Sequence, residues 1–474
     1  MNPPELDISK DSPPFADKLD AYFLKVEKAN LRNTNLRWLA LVLACFYSFG
    51  CYFCFDIPQA LQAVLSKDLS ITSFQFNLLY TVYSLPNIIL PFFGGVLIDR
   101  MGVRISLSLF SLFLILGQLV STFGAAKDDF ILILIGRIIF GIGGESLNVA
   151  QSVIIANWFM GKEFAFALGA TTCISRIGSS VNSFLSPKAY YWADGRLYLP
   201  FAIGAILCIF SGVCGLGLAY LDRKCDSELE EEIGEEQMEK FNVKDLKEFK
   251  LIFYLLLVNC CFLYGAFYGL NNNLNDLMVQ RFGFSPQGAG NYIPIIYICA
   301  TIITPLFGIF SDRFGKRVHI VLCGSILFFI THLVTAFLPQ KGPGPNYYTV
   351  PILLGVGVFH ATYAAVFWPC IPLVVNENLV GTAYGIVTAF YNLTLSMVPM
   401  LIGSIHDATL NKDHGYFWTQ IALAGFTGIG IGFTVWIFFE DKKTGRKLAK
   451  PISAQDKHNI LRLKTRSFGP MRGM

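Results

Sequence analysis

Gly95-Val-Leu-Ile-Asp99-Arg100-Met-Gly102-Val-Arg104 recurs in the second half of the chain as Gly308-Ile-Phe-Ser-Asp312-Arg313-Phe-Gly315-Lys-Arg317. Each copy follows a long apolar run and ends on basic residues, so the chain reads as a duplicated unit. A helix crosses a bilayer core of about 30 Å with about 20 apolar residues. Working outward from the two copies, twelve stretches meet that length, near 37–58, 75–98, 104–125, 130–157, 164–187, 199–221, 250–272, 288–310, 318–338, 349–374, 382–405 and 416–439. The expected fold class is an all-α membrane protein with 12 transmembrane helices in two six-helix bundles. The expected organisation is a tail 1–35, a first bundle 36–221, a linker 222–249, a second bundle 250–440 and a tail 441–474.

Composition agrees. Of the 474 residues, 54% are hydrophobic and 15% charged, against about 25% charged in a soluble domain. With the first tail inside, 28 of the 37 lysines and arginines fall on that side, 7 in the opposite loops and 2 within helices. Basic residues in short loops stay cytosolic, so both termini are expected in the cytosol. The net charge of +4 then reads as a topology signal, and no nucleic acid is expected as a partner; membrane lipid is. The polar run 1–35 lacks the short apolar core and small-residue exit of a cleavable signal, which leaves the first apolar stretch as the insertion signal. The acidic run 228–236 reads as a solvated linker.

Eleven of the twelve cysteines fall in the apolar stretches and Cys225 in the linker, so they read as packing residues and not as disulfides. No metal-ligand spacing, nucleophile–base pair or phosphate loop is evident. No metal, cofactor or catalytic residue is expected, and the chain does not read as an enzyme.

An ionisable residue inside a spanning helix costs several kcal/mol and is a functional candidate by default. Glu145 lies about 13 residues, roughly 20 Å, from the cytosolic end of helix four, and Arg176 about 14 residues, roughly 21 Å, from that of helix five. Both reach mid-depth, where two-halved carriers bind substrate. A carboxylate and a guanidinium at one level match a zwitterion, the first meeting an ammonium and the second a carboxylate. That points to an amino acid or short peptide; the alternative is that the two merely pair with each other. Asn148 and Ser152 continue the face of Glu145, and Thr172, Ser179 and Ser180 flank Arg176.

Asp56, ahead of Pro58 at the outer end of helix one, reads as a mouth residue or a simple helix-end acid. Arg137, nearer the outer end of helix four, reads as cavity wall or scaffold. The second half offers Tyr264, Tyr268 and the asparagines Asn271, Asn272 and Asn273 on helix seven, His360 and Trp368-Pro369 on helix ten, and Tyr391 and Asn392 on helix eleven. Polar aromatics suit varied side chains, with packing the competing role for each; His360 reads as a packed neutral histidine.

The duplicated element is similar to the cytoplasmic signature of the major facilitator superfamily, and Arg137-Ile-Ile-Phe-Gly141-Ile-Gly143-Gly144 to a second element of that family. The resemblance implies close helix approach at the glycines and a cytosolic latch formed by Asp99, Arg100, Asp312 and Arg313 that holds an outward-facing state. Helix five reads Gly169-Ala-Thr-Thr-Cys-Ile-Ser-Arg-Ile-Gly178 where antiporters of the superfamily carry a Gly-Pro element, which argues against drug/proton exchange.

Phe140-Gly-Ile-Gly-Gly-Glu145-Ser-Leu-Asn-Val-Ala-Gln151, Ser175-Arg176-Ile-Gly-Ser-Ser-Val-Asn182, Trp158-Phe-Met-Gly-Lys162-Glu163 and Gly381-Thr-Ala-Tyr-Gly385 resemble the domain-containing-protein-1 branch of the superfamily. That resemblance implies a lysosomal or endolysosomal carrier exporting dipeptides by facilitated diffusion, with a glycosylated single-pass accessory membrane protein as partner. The one glycosylation triplet, Asn392-Leu-Thr394, lies inside helix eleven, which fits a glycan supplied by a partner. The nearest sorting signal is Asp456-Lys-His-Asn-Ile-Leu461. Helix one has neither a Glu-x-x-Glu-Arg element nor a mid-depth carboxylate, which favours uniport by alternating access. The alternatives are a sugar or organic-anion carrier of the same fold, a plasma-membrane location, or a non-transporting nutrient receptor.

Overall fold

The computed structural model describes residues 35–159, 163–226, 249–339, 344–376, 379–411 and 413–451, without the side chains of 91–100, 164–165, 226 and 413. The acidic run 228–236, the segment 456–461 and the side chains of Asp99 and Arg100 lie outside the described residues.

Among the described residues twelve long helices form, six in each half. The first half holds α1 (Leu36–Phe55), α2 (Ser73–Met101), α3 (Val103–Ala126), α4 (Phe130–Trp158), α5 (Phe164–Trp192) and α6 (Tyr198–Asp226). The second holds α7 (Leu251–Asn271), α8 (Pro294–Phe314), α9 (Arg317–Phe337), α10 (Thr349–Val374), α11 (Val380–Ala408) and α12 (Tyr416–Lys443). Helix α6 runs past the expected bundle end at 221, and Cys225 is buried on it rather than free in a linker.

Local chemistry sets the ends. Thr72 and Gln75 form a reciprocal capping box at the start of α2, with bonds of 3.2 and 2.9 Å, and Asp129 caps α4. The repeated element ends each second helix on a glycine with positive φ, +79° at Gly102 and +67° at Gly315, a conformation that costs a residue with a Cβ.

Each half has its own apolar core, one drawn from residues between 40 and 225 and one from residues between 249 and 448. Among the described residues, ten helical segments are long and apolar enough to cross a membrane. Two further long helices, α2 and α5, have 29 residues each; α2 carries Asn77, Thr81 and Asn87, and α5 carries Thr172, Ser175, Arg176 and Ser179. These are the helices that the first half lays against the second, α2 on α11 and α5 on α8. Polar side chains at a seam let the halves part without stripping a hydrophobic core.

The last arginine of each repeated element is tied to its own half. Arg104 Nε meets Asp222 Oδ2 at 2.8 Å, and Trp158 Nε1 donates to the other carboxylate oxygen at 3.2 Å, joining α3, α4 and α6. Arg317, fully buried, donates to the Lys450 carbonyl at 2.8 Å, while Asp441 at the end of α12 accepts from Leu448 N. Asp312, expected to reach across the gap, sits 3.8 Å from Arg317 within its own element, and the Arg313 guanidinium lies 5.5 Å from the Phe314 ring.

Candidate functional site

Pro58 has no N–H, so it cannot satisfy the carbonyl four residues back on Cys54, and α1 breaks at Asp56. Arg137 fills the gap: Nη1 donates to Cys54 O and Nη2 to Phe55 O, both at 3.2 Å, and Nε to Leu79 O at 3.4 Å. Four rings enclose its guanidinium, those of Phe55, Tyr80, Tyr83 and Phe140, at 5.3 to 5.6 Å. Arg137 is therefore a buried clamp on the break in α1, the scaffold role and not the cavity wall of the two readings the sequence left open.

The same break carries Asp56 inward. It is buried, with Ser179 on α5 and Tyr297 on α8 among its polar neighbours.

Glu145 and Arg176 occupy the middles of α4 and α5, both part-exposed, and they form no ion pair with each other. Asn148 is the hydrogen-bonding neighbour of Glu145. Arg176 Nη1 reaches across to His360 Nδ1 on α10 at 3.2 Å. Tyr268 lies within electrostatic reach of Glu145, Arg176 and Asp56 together, and Tyr52 of both Glu145 and Arg176.

On the second-half side an aromatic wall faces them. Tyr391 OH donates to Tyr268 OH at 2.8 Å, Trp368 Nε1 to Tyr264 OH at 3.0 Å, and Tyr384 OH to the Trp368 carbonyl at 3.1 Å. Asn392 is fully buried, donating to Thr388 O with its Oδ1 unpartnered. Tyr52 and Tyr384 join the site beyond the candidates expected from sequence, a polar aromatic in an apolar helix being the available signal for both; His360, offered by the sequence, joins it through Arg176.

Beyond this level, toward the end of the bundle opposite the termini, the halves are laced shut. Asp407 at the end of α11 accepts from Ser73 N at 3.0 Å and Phe74 N at 2.9 Å, capping α2 from the other half. Ser73 Oγ and His406 Nδ1 are 2.7 Å apart. Gln62 donates to Asn273 at 2.8 Å, Asn77 to Asn273 at 3.0 Å and Asn271 to Gln59 at 3.0 Å. Among the described residues no hydrogen bond or ion pair joins the halves at the termini end. The arrangement suits a small polar ligand held between an acid, a guanidinium and an aromatic wall, closed on one side.

Comparison with known proteins places these features. The sequence pattern of the Major Facilitator Superfamily matches residues 40–290 and 256–468. The chain is 34% identical over 421 residues to the lysosomal dipeptide transporter MFSD1 of Homo sapiens, covering 87% of this chain and 88% of the relative. It is 34% identical over 398 residues to the protein of the same name from Danio rerio, covering 81% and 83%. Among solved structures it resembles the inward-facing, unoccupied form of a bacterial homologue of the human lysosomal transporter Spinster, with a TM-score of 0.68, 14% identity, and 88% of this chain and 100% of that one covered.

Proposed function

The chain belongs to the Major Facilitator Superfamily, and from that premise we propose that it exports dipeptides from the lysosome to the cytosol as a uniporter. Glu145 holds the substrate's ammonium and Arg176 its carboxylate, Tyr268, Tyr391, Tyr264 and Trp368 accommodate side chains, and Asp56 closes the site on the outer side. The observation that carries this reading is that Glu145 and Arg176 lie in the middles of α4 and α5, both part-exposed, and form no ion pair with each other. Two opposite charges held apart in a low-dielectric site cost free energy that a zwitterion relieves.

With both termini in the cytosol, the laced end faces the lumen and the conformation is open to the cytosol. Asp99, Arg100, Asp312 and Arg313 act as a cytosolic latch when the halves rock to the lumen-open state. A glycosylated single-pass membrane protein covers the luminal face.

The test is thermal stabilisation of the purified chain against amino acids, dipeptides, tripeptides, sugars and organic anions, since a ligand bound to the native state raises its melting temperature. Dipeptides are expected to stabilise it and Glu145→Gln or Arg176→Gln to remove the shift. Stabilisation by carboxylated sugars alone, unaffected by Glu145→Gln, would overturn the substrate assignment.

A further inference from the structure

Arginine carries five N–H donors and no acceptor, so the 3.2 Å contact from Arg176 Nη1 to His360 Nδ1 fixes the chemistry of the ring. Nδ1 presents its lone pair, and the imidazole is neutral with its proton on Nε2. The ring is also held in place, stacked on Phe267 of α7 with centroids 4.1 Å apart and planes 6° from parallel.

Binding Nη1 leaves the opposite edge of the guanidinium, Nε and Nη2, as two parallel donors. Nε is buried without a partner, and the bond to His360 is the only hydrogen bond the Arg176 side chain makes among the described residues. Two parallel N–H groups are the fork that a carboxylate accepts bidentately. An acid at position 360 would orient Arg176 equally well but would neutralise it and compete with the incoming carboxylate. A neutral acceptor orients the guanidinium and leaves its charge available.

We infer that His360 is a positioning residue: its neutral ring holds Arg176 Nη1 from the opposite half and so keeps the Nε–Nη2 edge, whose buried Nε has no protein partner, for the C-terminal carboxylate of a dipeptide. This rests on the reading that Arg176 takes that carboxylate. It also adds a specificity rule, because a ligand without a free carboxylate gains nothing from the arrangement.

The test compares a dipeptide with its C-terminal amide for binding to the purified full chain, by calorimetry. Variants are His360→Leu, which removes the acceptor, and His360→Asn, whose Oδ1 stands near the place of Nδ1. The wild type is expected to prefer the free acid. His360→Leu is expected to lose about tenfold in affinity for the acid, the scale of one hydrogen bond to a charged group, with the amide unchanged, and His360→Asn to recover most of it.

Equal weakening of acid and amide in His360→Leu would assign the ring to packing and overturn the inference, as would no change in either or a failure of Asn to rescue. A wild type that does not distinguish acid from amide would overturn the role of Arg176 itself, and the inference with it. If His360→Leu does not fold, His360→Gln, which moves the acceptor away from Nδ1, takes its place with the same expected loss.

Discussion

Asp407→Asn tests the closure of the end opposite the termini. The Asp407 carboxylate accepts from two backbone N–H groups at the first turn of α2, at 3.0 and 2.9 Å. Hydrogen bonds to a charged group are worth about 1.5–3 kcal/mol each, and a negative charge at a helix N-terminus adds about 0.3–1 kcal/mol. Asparagine keeps one neutral acceptor, worth about 1 kcal/mol, and turns a donor toward the other N–H. The difference is at least about 2 kcal/mol in favour of parting, which moves the ratio of molecules open to closed at this end by about 30-fold.

Distance distributions by pulsed electron resonance, with labels carried by noncanonical residues at Ser70 and Leu410 in the two halves, read that ratio without disturbing the native cysteines. A second, longer distance is expected to grow in Asp407→Asn. A distribution identical to wild type, with and without ligand, would refute the argument that these two bonds hold the halves together.

Other outcomes follow from single residues. Arg137→Gln leaves the Cys54 and Phe55 carbonyls short of donors, at about 1–3 kcal/mol each; the melting temperature is expected to fall steeply while the folded fraction binds ligand as before. Gly117→Ala drives a Cβ into the Phe140 backbone nitrogen between α3 and α4, so it should cost about 1–3 kcal/mol of stability, read by thermal melts.

Asp276, in the short helix beyond α7 and accepting a hydrogen bond from Tyr416, has its carboxyl raised above the ordinary value, chiefly by burial. Ionising it therefore opposes folding, a cost absent below the ordinary carboxylate value near 4 and complete once pH has risen past the folded value. Asp276→Asn, neutral throughout, is expected to melt higher than wild type at pH 7.5, with the gain fading toward pH 4.

The twelve helices were legible because twenty apolar residues and a twice-repeated signature are local properties of the chain. The central positions of Glu145 and Arg176 on their helices were legible for the same reason, since helix bounds follow from the apolar runs. Which way a side chain turns there was not. Arg137 read as cavity wall or scaffold because nothing in its own helix shows that the break at Pro58, on another helix, leaves carbonyls to be satisfied. The lacing opposite the termini joins Ser73 to Asp407 and Gln62 to Asn273, pairs far apart in sequence and unremarkable singly. His360 looked like core packing, and the Phe267 stack is that; its bond to Arg176 depends on the packing of opposite halves, which no local pattern encodes.

Uptake of a labelled dipeptide into proteoliposomes holding the wild type, Glu145→Gln or Arg176→Gln, each also challenged with N-acetylated and C-amidated peptide, tests most directly whether these two residues hold the two ends of the substrate. Saturable wild-type uptake is expected, indifferent to an imposed proton gradient, blocked by neither capped peptide at concentrations where the free dipeptide competes, and lost in each mutant with the protein still inserted. Uptake retained in both single mutants, or equal competition by the capped peptides, would contradict it.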